Sequence, residues 1–166
     1  MSKGAISLNL KGDKELVAAL KSIGDVTFRK VMRSATNAAM QPVLRSARSN
    51  AASIGRHHTI AKSLIKKTKT YPRNNVVVTL VGPDKDYVGE NGHRPVKTAH
   101  LVELGTAAHV TRTTEQGLVV THPGTPPRPF LRPALENNRT GVENALIKKV
   151  KERVPIEMAR LAKRKV

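Results

Sequence analysis

Pro126-Pro127-Arg128-Pro129-Phe130-Leu131-Arg132-Pro133-Ala134-Leu135 decides how the second half of this chain is built. Proline fixes φ and gives up its backbone donor, so the segment up to Pro129 reads as a stiff extended connection. Phe130 and Leu131 then supply apolar contact that pins the connection down. Pro133 suits the first turn of a helix, where its missing N–H would have had no partner. The stretch predicts a rigid arm, docked by one aromatic anchor and feeding a C-terminal helix. Val142, Ala145, Leu146, Val150 and Val154 mark the apolar face of that helix, and Pro155 is expected to interrupt it before a basic tail over 156–166.

Two dozen residues before the arm, Thr98 to Leu104 reads as a short helical turn ended by Gly105. Between them, over 105–128, lies an extended loop or hairpin, with Ala108–Thr114 and Leu118–His122 as strands around Glu115-Gln116-Gly117. Further upstream, Ile6, Leu8 and Leu10 alternate with polar residues as a half-buried strand does. Asp13 is placed to cap a helix over Lys14–Ile23, and Gly24 closes it. From Phe28, the residues Val31, Met32, Ala35, Ala38, Ala39, Pro42 and Val43 fall on one helical stripe, which Pro42 should kink or divide. Ser53–His58 reads as a loop and Ile60–Lys67 as a short basic helix or strand. Asn75–Val81 is a strand bracketed by Asn74-Asn75 and Gly82-Pro83, and Asp84–Lys97 is a polar loop. The expected class is α+β: a small, mostly antiparallel sheet packed against two longer helices, with a C-terminal helix after the proline-rich arm, all in one domain over 1–166. Aromatic residues make up only 2% of the chain, so Val, Leu, Ile, Ala and Met must fill the core, and a subunit interface would offset its thinness.

The charge is the second strong signal. Lys and Arg number 30 against 12 Asp and Glu, a net +18. No acidic residue occurs from Val26 to Pro83, whereas Arg45, Arg48, Arg56, Lys62, Lys66, Lys67 and Lys69 lie there as a basic surface. Such a field attracts polyanions or an acidic protein. Duplex DNA would be held through its backbone, because two tyrosines and two phenylalanines give no stacking platform. With no cysteine, disulfides and thiolate metal sites are excluded. No apolar run reaches the roughly twenty residues that span a bilayer, and the N-terminus lacks a signal-peptide apolar core, so the expected place of synthesis is cytoplasm.

Asp84, Asp86, Glu90 and His93, with His100 beyond, are the one clustered set of ligand types. Lys85, Arg94 and Lys97 intersperse them and no ligand spacing is matched, so a solvated loop is the better reading than a metal-dependent nuclease. His57-His58 reads as surface. His100 and Glu103 share one face of a helical turn but lack a nucleophile, so Glu103 is read as meeting the end of a basic element and His100 as bonding locally. Pro126 and Pro129 form a PxxP pair that reads as a rigid spacer. P-loop, GxSxG and GxGxxG motifs are absent. Neither catalysis nor a cofactor or metal is expected.

Ala99-His100-Leu101-Val102-Glu103-Leu104-Gly105-Thr106, a variable segment, then Arg128–Leu135 and a C-terminal helix together carry a resemblance. The chain resembles the gene-product-ten-like neck, or tail-completion, family of long-tailed double-stranded DNA bacteriophages. Leu8–Gly12 with Glu15, Leu16 and Leu20, and Leu64-Ile65 with Tyr71 and the valine run, fit the same pattern. The resemblance implies a virion structural protein at the head–tail junction, ring-forming and made in the host cytoplasm. Its implied partners are copies of itself, the connector, the tail terminator or tube, and exiting double-stranded DNA. It also implies that Glu103, Gly105, Pro129, Phe130, Leu131, Arg132 and Pro133 have structural or interfacial roles. The segment 105–128 is longer than the family's link, and Asp84–Val96 is extended. A non-virion protein that binds the DNA backbone is the alternative.

Overall fold

The computed structural model describes residues 20, 23–54, 58–113 and 119–163. The fold is α+β. Its elements are α1 (Asp25–Ala39), α2 (Gln41–Ser53), α3 (His58–Ser63), β1 (Leu64–Tyr71), β2 (Val76–Pro83), α4 (Ala99–Leu104), β3 (His109–Thr113), β4 (Val119–His122), α5 (Leu131–Asn137) and α6 (Arg139–Lys163). The strand expected over Ile6–Leu10 and most of the helix over Lys14–Ile23 lie outside the described residues. In place of one sheet, the described strands make two separate two-stranded antiparallel sheets, β1–β2 and β3–β4. Each hairpin closes on itself, because the sequence between them is occupied by short helical turns at 90–92, 95–97 and 99–104.

The chain divides into two compact units. The first contains α1, the outer part of the β1–β2 hairpin (67–80) and α6. Here α1 packs along α6. Val31, Ala35 and Ala39 recur every four residues on α1, and Val142, Leu146, Val150 and Val154 do the same on α6. Small alanines at the contact let helix axes approach closely. Helix α1 ends before Met40, and Pro42 falls in the first turn of α2, so the proline divides the helix as its missing donor requires.

The last helix differs from the sequence reading. It runs through Pro155 to Lys163, so residues 156–163 of the expected tail are helical. Proline removes one hydrogen bond, but the chain is held on both sides of it. Val154 is 3% exposed and Glu157 5%. Burial works against the Glu157 charge, yet Lys30 (Nζ–Oε2 3.2 Å) and Arg160 (Nη1–Oε1 2.9 Å) outweigh it and hold its pKa below the usual carboxylate range. A carboxyl group with a depressed folded pKa stabilises fully above its unfolded value, ~4.3, and loses that stabilisation as pH falls through the folded one. Glu157→Gln is therefore expected to flatten the loss of stability on acidification below about pH 5. Denaturation midpoints against pH measure this, and parallel curves for the two proteins would refute it.

The second unit contains α2, α3, the inner ends of β1 and β2, the helical turns at 90–92 and 95–97, α4, the β3–β4 hairpin and α5. Its buried side chains include Val43, Leu44, Ala47, Ala51, Ile60, Leu64, Ala99, Phe130 and Ala134. The stretch read as either helix or strand, Ile60–Lys67, is both: helix to Ser63, strand from Leu64. Arg48 secures that junction by donating from Nη2 (2.6 Å) and Nε (3.1 Å) to the Leu64 carbonyl.

Candidate functional site

The proline arm and the α4 turn are one device. Pro126 to Pro129 run extended and exposed, without helix or strand hydrogen bonding, and Phe130 behind them is fully buried. Helix α5 begins at Leu131, so the N–H groups of Phe130, Leu131, Arg132 and residue 133 have no partner inside the helix. Residue 133 is proline and has none to satisfy. The other three all donate to Glu103: Phe130 N and Leu131 N to Oε2 at 2.7 and 2.9 Å, Arg132 N to Oε1 at 2.9 Å. A carboxylate from a different helix thus caps every orphan donor of α5 and faces the positive end of its dipole. Glu103 was expected to meet the end of a basic element; its bonds are to backbone N–H groups at the end of the arm.

Two further bonds fix the anchor. Arg128 N donates to the Val102 carbonyl (2.8 Å), and Asn50 Nδ2 of α2 donates to the Phe130 carbonyl (3.1 Å). Glu103→Ala is expected to destabilise the protein by about 2 kcal/mol, the upper range for losing a helix cap. Water can reach the released donors, Arg132 N being exposed, which limits the cost. Urea denaturation measures it; a change near zero would mean the three bonds contribute nothing net.

The base of the β3–β4 hairpin is a clasp. Thr106 and Thr125 exchange both backbone bonds, at 2.9 and 3.0 Å. Each is flanked by a glycine with positive φ, Gly105 at 73° and Gly124 at 88°. A Cβ on Gly105 would lie 2.5 Å from the Thr125 oxygen, and one on Gly124 2.4 Å from the Thr106 oxygen. Only glycine allows the strands to cross so closely. Neither Gly124, Thr125 nor Asn50 stands out by residue type; the Pro-Gly-Thr-Pro run at 123–126 is the one local turn signal.

Beyond the clasp, β3 and β4 pair His109 with His122, Val110 with Thr121, Arg112 with Val120 and Thr113 with Val119, with a bulge at Thr111. The two histidine rings stack at 5.2 Å. The hairpin expected over 108–122 is present, and its tip, 114–118, lies outside the described residues. Val110 and Val119 are 58% and 60% exposed, and Val120 is 38% exposed. Two strands alone are marginal in water, and these valines are left open to it.

The residues weighed as ligands or catalysts are used locally. Asp84 Oδ1 accepts from Asp86 N, Lys85 approaches Asp86, Glu90 is 3.7 Å from Lys62, and His93 Nε2 is 3.1 Å from Thr98 Oγ1. His100 is exposed on α4, and His57 lies outside the described residues. Among the described residues no group of three or more His, Asp or Glu could hold a metal ion. An open cleft of about 640 Å³ beside the arm is lined by Asn50, Ser53, Arg128, Pro129 and Pro133 among others. Its one hydroxyl, Ser53, donates to the Asn50 carbonyl and has no base beside it. Of the basic set, Arg45, Arg48, Lys62 and Lys66 belong to the second unit and Lys67 and Lys69 to the first, with Arg56 outside the described residues. Burial pushes the Lys66 ammonium below the ordinary lysine range. No described helix is long and apolar enough to cross a membrane.

Among curated proteins and among solved structures, nothing matches the chain. A family model described as bacteriophage HK97-gp10, putative tail-component, matches residues 14–105. The match takes in Glu103 and Gly105 and stops before the arm they hold. Over more than half its length, then, this protein belongs to the HK97-gp10-like family of bacteriophage tail components.

Proposed function

We propose that this protein is a ring-forming neck or tail-completion component that joins the phage tail to the connector beneath the head. The observation that carries the reading is the β3–β4 hairpin. It is a two-stranded sheet clamped at its base by the Gly105–Gly124 clasp, and its valines are open to solvent. A rigid base with uncovered valines on its strands suits a subunit that buries them against a neighbour. The site residues Glu103, Gly105, Pro129, Phe130, Leu131, Arg132 and Pro133 hold the geometry from which the hairpin springs. Their role is to make that presentation rigid, which lowers the ordering cost of assembly. Assembly through complementarity needs no bond-breaking chemistry.

Electron microscopy of lysates from a virus lacking this gene tests the proposal. Filled heads beside detached tails are expected. Complete, joined particles would overturn it.

A further inference from the structure

Among the described residues of its own unit, no layer lies over the outer face of the β1–β2 hairpin. The inner face is fixed by threonines: Thr68 and Thr79 hydroxyls meet at 3.0 Å, Thr79 reaches Thr36 of α1 at 3.0 Å, and Asn37 of α1 donates to Thr68 at 3.1 Å. Side chains alternate across a strand, so residues one or three steps from these threonines point away from α1. They include Lys67, Lys69 and Tyr71 on β1 and Val76 and Leu80 on β2, all exposed, with Arg73 in the connecting turn. Tyr71, Val76 and Leu80 are 48%, 43% and 52% exposed. Tyr71, Val76 and Leu80 therefore share one small surface with two lysines, and Arg73 lies in the turn that ends it.

We propose that this face docks an acidic protein of the virion, through a partner surface with an apolar centre and carboxylates at its margin. The proposal rests on the tail-component reading and deepens it by naming the partner's chemistry. Charge complementarity sets that chemistry. No acidic residue lies between Val26 and Pro83, and among the described residues no carboxylate pairs with Lys67, Lys69 or Arg73. A second copy would bring the same lysines to the contact within a chain of charge +18, which opposes self-docking here. DNA is disfavoured by the apolar half of the face. Phosphates reward cations, whereas Tyr71, Val76 and Leu80 gain from a surface that excludes water.

Full-length protein added to a lysate of virus lacking the gene tests this, with plaque-forming titre as the readout. Wild-type protein restores the titre. K67E/K69E is expected to restore about a hundredfold less, because like charges then face each other across the contact. Leu80→Asp should show a similar loss, with both variants matching wild type in far-ultraviolet circular dichroism. Suppressors of K67E/K69E should replace an acidic residue of another virion protein with lysine or arginine. Full restoration by both folded variants would overturn the docking surface and leave the family role standing. Failure of wild-type protein to restore titre would overturn the functional reading and the docking with it. Parallel loss of titre and of retention on a short DNA duplex, with no protein suppressors, would assign the face to DNA and refute the proposal.

Discussion

Phe130→Ala is expected to lower unfolding free energy by about 4 kcal/mol, within the range for emptying a buried aromatic site. The cost depends on how far the surroundings collapse into the space. Here they are pinned. The Phe130 N–H is held by Glu103, its carbonyl by Asn50, and the residue two before it by Val102. Prolines at 126, 127 and 129 stiffen the approach, and Pro133 follows within the first turn of α5. The backbone cannot follow a shrinking side chain, so the cavity persists. Phe130→Leu, which keeps most of the volume, should cost about 1 kcal/mol. Urea midpoints for the three proteins give the comparison. A change below about 1 kcal/mol for the alanine variant would mean that the ring is not the anchor. Joined particles should fall with stability, because the hairpin loses its rigid base.

Much of this device was legible in the residues. The arm shows itself through its prolines, the α1–α2 break through Pro42, and the end of α4 through Gly105, because these residue types restrict or extend backbone freedom wherever they occur. Other features depend on distant contacts and leave little local trace. Glu103 and its three donors lie 27 to 29 residues apart, and nothing in the spacing tells a cap from a surface carboxylate. Gly124 needs positive φ only because Thr106 crosses it. Helix α6 passes Pro155 because packing and the Lys30–Glu157–Arg160 group outweigh one missing hydrogen bond, and that balance is set by α1, more than a hundred residues earlier. Two small sheets replace one for a similar reason: pairing of hairpins depends on the connections between them, which composition does not rank.

The charge shows the same divide. A run from Val26 to Pro83 without an acid is visible at once, yet it is not one continuous device. Arg48 spends its guanidinium on the Leu64 carbonyl and Arg29 on the Asn75 side chain, and Lys30 holds Glu157. These residues act as internal fasteners. Among the described residues Lys67 and Lys69 fasten nothing, and the alternation of β1 places them on an exposed face with Tyr71. Structure separates cations that hold the fold from those that stay exposed on a strand face.

Gly105→Ala is expected to destabilise the protein by about 4 kcal/mol, from strain and overlap acting together. Gly105 has φ 73° and ψ 179°, a region that residues with a Cβ essentially never occupy. Moving φ to negative values would relieve it, but the chain is not free to turn. Thr106 is locked to Thr125 by both backbone bonds, and Val102 is tied to Arg128. An added Cβ would sit 2.5 Å from the Thr125 oxygen and 2.8 Å from the Pro127 nitrogen. Both are backbone atoms, and the prolines beside them prevent an easy retreat. One strand of the clasp must therefore separate, taking with it the arm that carries Phe130. Gly141→Ala on α6 is the control. A Cβ there meets nothing within 4 Å, and alanine favours the helix, so stability should be unchanged or higher by up to about 1 kcal/mol. Thermal and urea unfolding of the pair decide the matter. If Gly105→Ala unfolds with the Gly141→Ala variant, the clasp is loose and cannot be what presents the hairpin rigidly to a neighbour.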